Sequence, residues 1–308
     1  MEPMPETVEV ELVPATLDFE RVLCCPLCGS AALVSVDEAY NLSRCDSCGY
    51  VLDNPRPTME SIIRFYSAKG KYDAWLDLRG PYDRLWRRRL KKLLKHARPG
   101  NLLDVGAGVG QFLAIARPYF AGVFGTEVSE SGVQAAREQY GVDLSRGLVE
   151  TLDLDLESFD NITLFHVLEH VPDPMALLAR SHALLREEGM LLICVPNDVA
   201  AWTSRVKAAG RRLGLKPFRK FSPVMGLPLA GTSREIHLSH FTPPVLRRAL
   251  TESGFTVQDI SLDPYFAAKG VGLALHSVYL ALHTLLFRLS GVNRYDTIWA
   301  VATKKANS

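Results

Sequence analysis

Leu102-Leu-Asp-Val-Gly-Ala-Gly-Val-Gly-Gln-Phe112 is the stretch of sequence that decides the fold. Its first residues form an apolar run typical of a short buried strand, and Gly106, Gly108 and Gly110 then predict a tight turn. Glycine permits positive φ and lets a ligand approach the backbone, because no Cβ stands in the way. The residues after the turn predict a helix whose free N–H groups point at that ligand. Many nucleotide-binding folds share such a turn, so its surroundings must identify the ligand.

Further apolar runs lie on the C-terminal side of the turn. One of them ends near Glu127, 17 residues beyond Gly110, where an acidic side chain in a Rossmann-type unit accepts hydrogen bonds from ribose hydroxyls. Including residues 102–105, the predicted strands number seven, and most alternate with helical segments; the other six are 122–128, 142–148, 161–167, 190–197, 255–262 and 296–303. The pattern predicts an α/β fold with a Rossmann-like, doubly wound, seven-stranded sheet.

The length of the chain fits one large domain and a small one, and its charge bears on the kind of partner. The chain has 308 residues, 47% of them hydrophobic, and a net charge of +1 from 35 basic and 34 acidic side chains. This balance disfavours a surface built for a polyanion, and we expect no nucleic-acid partner. Residues 1–20 are acidic and contain no apolar signal-peptide core, which predicts a flexible tail and a cytoplasmic protein.

Two Cys-x-x-Cys pairs precede the turn, and each is followed by a glycine. Cys25 and Cys28 are separated from Cys45 and Cys48 by 16 residues, a spacing typical of a structural zinc site with four thiolates. The alternatives are two reducible disulfides or a ribbon that has lost its metal. We assign residues 21–57 to a small N-terminal zinc ribbon, in which the metal should supply most of the folding energy, about 10 kcal/mol. Its slightly acidic composition favours a structural or lid role.

Residues 58–98 predict a helical connector or lid. A helix over residues 82–96 has an apolar stripe and a second face that is rich in arginine and lysine. We expect this basic face to be solvated, and Tyr66 and Tyr72 to close over a ligand.

Several motifs together resemble one enzyme family. Phe165-His-Val-Leu-Glu-His-Val-Pro-Asp-Pro174 follows the fourth strand, and Leu185-Arg-Glu-Glu-Gly-Met-Leu-Leu-Ile, His240-Phe-Thr and Gly254-Phe-Thr-Val come later. With the glycine turn and Glu127, these residues resemble the class I S-adenosylmethionine-dependent methyltransferases, over roughly residues 102–303. The N-terminal cysteine pattern resembles the zinc ribbon fused to bacterial methyltransferases of glycan and natural-product pathways. The ubiquinone-pathway O-methyltransferases are a more distant likeness.

The resemblance implies the domain limits and the cofactor site. Residues 99–308 form the methyltransferase domain, with insertions at 199–234 and 265–292, and the cofactors are S-adenosylmethionine and a structural zinc. The resemblance implies that Asp104 and the three glycines of the turn hold the methionine part of the cofactor. It also implies that Glu127 holds the ribose and that Leu148 borders the adenine. The implied cofactor-binding residues are Asp104, Gly106, Gly108, Gly110, Glu127, Leu148, Phe165 and His166. A dinucleotide dehydrogenase is the nearest rival, and the motif after Phe165 disfavours it.

Two histidine clusters are candidates for catalysis. His166, Glu169 and His170 share a face if their segment is helical. They could bind a divalent metal at Glu169 and His170, line the pocket, or supply a general base. The resemblance places His237 and His240 at the mouth of the site, where either could contact the acceptor; an ordinary helix-entry loop is the alternative. The catalytic candidates are therefore His166, His170, His237 and His240.

The two insertions predict the partner. Residues 199–234 hold eight basic residues and no acidic one, which favours an anionic acceptor or surface. Residues 270–290 are nearly all apolar and approach transmembrane length, but the following strand must return to the sheet. Contact with a membrane surface or a lipid substrate, and a buried or dimer-forming helix, are the alternatives to spanning.

Together these features predict an S-adenosylmethionine-dependent methyltransferase. We expect transfer to oxygen, rather than carbon or nitrogen, of a small molecule, a sugar or a lipid-linked glycan intermediate. The alternatives are an RNA methyltransferase that uses the ribbon as its RNA reader and a non-catalytic module that holds the cofactor. The sequence does not identify the acceptor.

Overall fold

The structure, a computed structural model, describes residues 17–67, 79–216, 235–264 and 270–305. The N-terminal part contains β1 Phe19–Glu20, β2 Leu33–Asp37, β3 Leu42–Cys45, β4 Val51–Asp53, β5 Arg56–Pro57, α1 Met59–Tyr66 and α2 Arg79–Leu93. The larger part begins with β6 Asn101–Val105, α3 Gln111–Ala116, β7 Gly122–Glu127, α4 Glu130–Tyr140, β8 Ser145–Arg146, β9 Phe159–Phe165, α5 Pro174–Leu184 and β10 Leu185–Pro196. It ends with α6 Trp202–Arg212, β11 Ser239–His240, α7 Pro243–Glu252, β12 Phe255–Leu262, α8 Gly270–Ser290 and β13 Thr297–Lys304.

The predicted seven-stranded sheet is confirmed, with the strand order β12-β13-β10-β9-β6-β7-β8. Strands β6 to β10 pair in parallel, and β13 runs antiparallel between β10 and β12. The chain leaves β6 for β7 on one side and later returns through β9 on the other. This reversal creates a crevice beyond the carboxyl ends of β6 and β9, which is where ligands bind in open α/β sheets.

Alternating residues of the central strands build a core on each face of the sheet. Leu103 and Ile193 point into one apolar cluster, whereas Leu102 and Leu192 point into the other. This alternation follows from the two-residue period of a strand whose two faces are both covered by helices. Cys194 is fully buried in the second cluster and is a core residue.

The ribbon is built into the methyltransferase domain and shares its core. Strand β11, which precedes α7, completes the ribbon sheet by pairing with β4. Tyr50 packs its ring against Phe241 and shares a buried hydrogen bond with Ser239. Apolar burial against the larger domain therefore stabilises the ribbon, in contrast to the expectation that a metal supplies most of its folding energy.

Two N-terminal expectations need correction. Strand β1 pairs with β5, so the tail expected over residues 1–20 does not extend to Phe19 and Glu20. The basic face of α2 is also not wholly solvated, because Arg89 is fully buried. Lys92 lies over the ring of Trp299, with burial lowering the pKa of its ammonium group to about 8.

Candidate active site

A cavity of about 350 Å³ opens at the carboxyl ends of β6, β7 and β9. Its volume falls within the range of about 300–1,000 Å³ that is usual for small-molecule sites. One half is formed by the glycine turn and its neighbours, and the other by the histidine clusters and α1. The cavity-lining residues used below are Tyr66, Arg89, Asp104, Gly106, Gly108, Glu127, Leu148, Phe165, His166, His170, Asp198, Glu235 and His237.

The glycine turn has the backbone conformation that its sequence predicts. Gly106 and Gly108 have φ of 68° and 56°, in the region that side chains disfavour. A Cβ on Gly106 would also lie 2.7 Å from a methyl carbon of Val167. Asp104 lies beneath the turn and accepts a hydrogen bond of 2.6 Å from Thr163 Oγ1, and burial raises the pKa of its carboxyl group to about 7.

Gly110 has a packing role and does not line the cavity. Its φ is 73°, and a Cβ would lie 3.0 Å from Ala136 and 3.2 Å from Val142. The resemblance implied that Gly110 contacts the methionine part, and this position does not fit that role. Gly110 instead allows α3 to pack closely against α4. The turn contributes Gly106 and Gly108 to the cavity wall.

Glu127 lies at the end of β7 with its carboxylate buried against the turn. Its two oxygens accept hydrogen bonds of 2.8 Å from the Gly108 N–H and 2.9 Å from the Ser129 N–H. Each carboxylate oxygen has two lone pairs, so the orientation fixed by these bonds is compatible with two further bonds from ribose hydroxyls. Leu148 also lies in the cavity wall, and its contact with adenine stays a prediction.

The turn after β9 brings His166, Glu169 and His170 together without a helix. His166 adopts a positive φ of 57°. Its Nδ1 lies 3.1 Å from Glu169 Oε1, and its Nε2 lies 2.8 Å from Arg89 Nη2. A guanidinium can only donate, so Nε2 accepts and Nδ1 donates to the carboxylate. Because both ring nitrogens are engaged, we assign His166 a positioning role.

Arg89 anchors this turn from beneath and was missed as a site residue. Its guanidinium forms a fully buried ion pair with Asp263, which follows β12, with an Nε–Oδ1 distance of 3.1 Å. The sequence feature that could have revealed Arg89 as a buried residue is its position in the apolar stripe of α2, four residues after Leu85 and four before Leu93. A basic residue at such a position is buried and needs a carboxylate partner.

His170 has the properties of a general base. Its Nδ1 bonds to the carbonyl oxygen of Ile236, which can only accept, so Nδ1 carries the proton and Nε2 has the lone pair. Tyr66 Oη lies 3.1 Å from the same Nδ1. Burial lowers the pKa of His170, so the ring is neutral at pH 7.

His237 carries a positive charge in the same half of the cavity. It lies 3.4 Å from Asp198 and 3.5 Å from Glu235. Burial acts to lower its pKa, but the hydrogen bonds to these two carboxylates raise the pKa of His237 to about 10. The same contacts lower the pKa of Glu235 to about 2 and hold that of Asp198 well below its usual value. His237 therefore acts as a cation.

His240 lies behind the cavity and does not line it. It is buried between Asp53 of the ribbon, at 3.0 Å, and Asp198, at 3.4 Å. Contact between His240 and an acceptor, which the sequence had suggested, does not fit this position. The residue instead links the ribbon to Asp198, which borders the cavity.

Glu169, His170 and His237 have ligand atoms within 4.8 Å of one another, so a divalent metal is a geometric option there. A metal-bound imidazole must be unprotonated at the coordinating nitrogen. Asp198 and Glu235 favour the doubly protonated ring of His237, which disfavours a metal. The cluster fits an electrostatic network better.

The four ribbon cysteines form a separate cluster that fits zinc. The Sγ–Sγ distances are 3.6 Å for Cys25 to Cys48 and 3.6 Å for Cys28 to Cys45, and no disulfide joins them. Zn–S bonds of about 2.3 Å in a tetrahedron require sulfurs about 3.8 Å apart. Gly29 and Gly49 turn the two knuckles with φ of 73° and 75°. Burial opposes ionisation, but N–H groups of residues 47 and 48 lower the pKa of Cys45 to about 7.

The family match separates the larger domain from the ribbon. The methyltransferase domain family matches residues 78–260, which is more than half of the sequence. The chain belongs to this methyltransferase family. The matched residues contain the glycine turn, Glu127 and both histidine clusters, and the ribbon lies outside them.

Several curated relatives of this domain carry the name ubiquinone biosynthesis O-methyltransferase. The ubiquinone biosynthesis O-methyltransferase of Paramagnetospirillum magneticum is 34% identical over 182 residues, which cover 51% of this chain and 71% of that protein. The one from Coxiella burnetii is 32% identical over 102 residues, which cover 32% of this chain and 44% of that protein. The chain thus spans about half the length of several curated relatives that it matches.

A solved structure supports the fold. A chain in the complex between the Trm112 methyltransferase activator and a methyltransferase from Haloferax volcanii superposes with a TM-score of 0.51 and 17% identity. The match covers 79% of this chain and 99% of that one. At this identity the likeness concerns the fold alone, which is that of the class I methyltransferases.

Proposed function

We propose that this methyltransferase moves a methyl group from S-adenosylmethionine to a hydroxyl oxygen of a small molecule, a sugar or a lipid-linked glycan intermediate. The supporting observation is that one cavity joins the glycine turn and Glu127 to a neutral histidine, His170. A sulfonium is already a strong methyl donor, so alignment and proton removal are what the protein must supply.

The cavity divides into a cofactor half, formed by the glycine turn, Glu127 and Leu148, and an acceptor half, formed by the histidines and Tyr66. Glu127 would hold the ribose hydroxyls, and the Gly106–Gly108 backbone would hold the methionine part. When bound, the sulfonium cofactor supplies an electrophilic methyl group. The acceptor oxygen would gain this methyl group and lose its proton, so the chain must align the acceptor with the methyl group and receive the proton.

His170 takes the proton that the acceptor loses. Its Nε2 accepts this proton, and the Nδ1–H bond to the Ile236 carbonyl stabilises the resulting imidazolium. Glu169 is 3.8 Å from Nε2 and adds a negative charge beside it. Both N–H groups of His237 face Asp198 and Glu235, so this cation would act on an acceptor oxygen that develops negative charge through its charge alone.

A labelling experiment tests this function without requiring that the acceptor be identified first. S-Adenosylmethionine with a tritiated methyl group is incubated with the protein and a bacterial cell extract, and aqueous and lipid fractions are counted. We expect label in a product with the wild-type chain and background label with Glu127→Ala. Label in RNA would support the alternative acceptor class. Cofactor binding without any transfer would favour a non-catalytic module.

We also infer that Cys25, Cys28, Cys45 and Cys48 bind one structural zinc ion. The support is the tetrahedral spacing of their sulfurs and the absence of a disulfide among the described cysteines. A closed set of four thiolates has no open position for a reactant, so the ion holds the two knuckles together.

The ribbon offers a matched pair of cysteine variants. Cys45→Ser should lower zinc content from about one ion per chain to nearly none and should reduce the melting temperature. Cys24 is exposed and outside the cluster, so Cys24→Ser should keep both. Metal analysis of freshly purified, reduced protein provides the readout, and a wild-type chain without zinc would contradict the inference.

A further inference from the structure

Helix α8 presents an apolar surface that the described protein leaves largely uncovered. Its length and composition would allow it to span a membrane, yet only 6% of its 18-residue apolar stretch is buried in the protein. One face packs on the domain through His283, which contacts the ring of Tyr295. The opposite face exposes Val271 at 77%, Leu275 at 66%, Val278 at 69%, Leu282 at 52% and Leu289 at 77%.

Helix α6 has a second exposed apolar stripe, and this one is flanked by basic residues. Trp202 is 58% exposed and Val206 is 42% exposed, and their spacing places them on one face of the helix; Leu213, directly after the helix, is 76% exposed. Arg205, Arg212 and Lys216 are also exposed, and residues 199–216 include no aspartate or glutamate. Exposed Trp and Leu beside Lys and Arg are typical of helices that lie in a membrane interface.

Hydrogen bonds join the start of α6 to the segment that follows α8. The Trp202 N–H donates to the Arg294 carbonyl oxygen at 2.9 Å, and Thr203 Oγ1 donates to Asp296 at 2.5 Å. The start of α6 is therefore fixed against the segment that leads from α8 to β13.

We propose that α6 and α8 form a docking surface for an anionic lipid membrane. Their exposed apolar side chains would enter the boundary between headgroups and acyl chains, while the arginine and lysine side chains meet the lipid phosphates. A second copy of this chain fits less well, because a symmetric contact would place basic residues against basic residues. The proposal concerns binding and is independent of methyl transfer.

The connections of α8 favour a helix that lies in the membrane plane. Strands β12 and β13, which flank it in sequence, are paired at Leu262 and Ile298. Its C-terminal end is fixed to the domain, since Asn293 is buried and bonded to Asn197. If α8 crossed the bilayer, residues 263–269 would have to recross about 30 Å of hydrocarbon with a reach of about 25 Å. Irregular backbone exposed to lipid is also unfavourable.

Vesicle sedimentation tests the docking surface with the full chain. We expect the wild-type protein to sediment with vesicles of phosphatidylcholine and phosphatidylglycerol, and less with phosphatidylcholine alone or at high salt. Leu275→Glu combined with Leu282→Glu should weaken this binding at least about 30-fold, because two apolar insertions are lost. Leu156→Glu is the control, because Leu156 is 63% exposed but lies outside both helices. This variant should bind the vesicles as the wild type does.

Trp202 provides an independent signal that does not depend on the stability of those variants. Its emission should shift to shorter wavelength when vesicles are added, and Trp202→Phe should remove the shift. Wild-type protein that stays in the supernatant would overturn the proposal, as would equal binding by the double variant. A dimer in sedimentation equilibrium that the double variant dissociates, without vesicle binding by the wild type, would assign the surface to a second copy.

Discussion

The two halves of the cavity are built in different ways. The cofactor half comes from one continuous stretch, in which Asp104, the glycine turn, Glu127 and Leu148 lie at the ends of three successive strands, β6, β7 and β8. The acceptor half combines Tyr66 of α1, the turn after β9, Asp198 after β10 and His237 before β11. Its support extends to Asp53 in the ribbon through His240. One half is therefore local in sequence, and the other exists only after the whole chain has folded.

The chemistry of the two halves differs in the same way. The cofactor half relies on backbone N–H groups and one oriented carboxylate, so its properties follow from local geometry. The acceptor half is a network of charges in which each protonation state depends on neighbours. His170 is neutral and His237 is charged, although the two rings are only 4.9 Å apart. Substitutions in the cofactor half should reduce affinity, and those in the acceptor half should alter rate, stability and pH dependence.

The largest effect is expected from His170→Gln. Loss of a positioned general base should lower kcat by about 10²–10⁴-fold once an acceptor is in hand, because the acceptor proton has no recipient. Affinity for S-adenosylhomocysteine should stay within about 3-fold of the wild type, since the cofactor half is untouched. His96→Gln, at an exposed site, is the control. A rate within about 3-fold of the wild type would assign proton removal to another group.

Arg89→Ala should destabilise the fold by about 3–5 kcal/mol. The change leaves Asp263 buried without its partner and removes the donor that fixes His166. Urea unfolding measures the loss. Arg87 on the same helix pairs with Asp83 at the surface, where solvent screens the pair, so Arg87→Ala should leave the urea midpoint nearly unchanged. Equal effects of the two substitutions would show that burial does not distinguish them.

The pKa of His237 should respond to Asp198. NMR titration should find this pKa near 10 in the wild type and at least about one unit lower in Asp198→Asn, with Asp155→Asn unchanged. A raised folded pKa means that the ring binds its proton more tightly in the native state. Its stabilisation is therefore complete below pH 6.5 and is lost as pH rises from there through about 10. A wild-type pKa at or below 6.5 would contradict the charge network.

The sequence predicted the sheet well because buried strands are read from short apolar runs. The common position of Asp104, Gly106, Gly108, Glu127 and Leu148 in one cavity wall could be predicted for a related reason, because these residues follow strand ends that are close together in sequence. Arg89 was hidden in a helix with many basic residues, since net composition does not reveal which one faces the core. His240 has the same residue type as its neighbour His237, and only the pairing of β11 with β4 turns it toward the ribbon.

The shared core of the ribbon was unpredictable for a physical reason. Tyr50 and Leu52 of the ribbon share one buried cluster with Phe241 and Val245, which lie almost two hundred residues later. Contacts of that sequence separation leave no periodic signal in either segment. The acceptor half inherits the same difficulty, because it joins four distant segments.

Calorimetric titration with S-adenosylhomocysteine tests the central claim most directly, namely that the cavity at the ends of β6 and β7 binds S-adenosylmethionine. We expect saturable binding by the wild-type chain and about 100-fold or more weaker binding by Glu127→Ala, because hydrogen bonds to a charged acceptor contribute about 1.5–3 kcal/mol each. Glu130→Ala, which changes an exposed carboxylate three residues further on, should bind as the wild type does. Absence of binding by the wild type, or unchanged affinity in Glu127→Ala, would contradict the account.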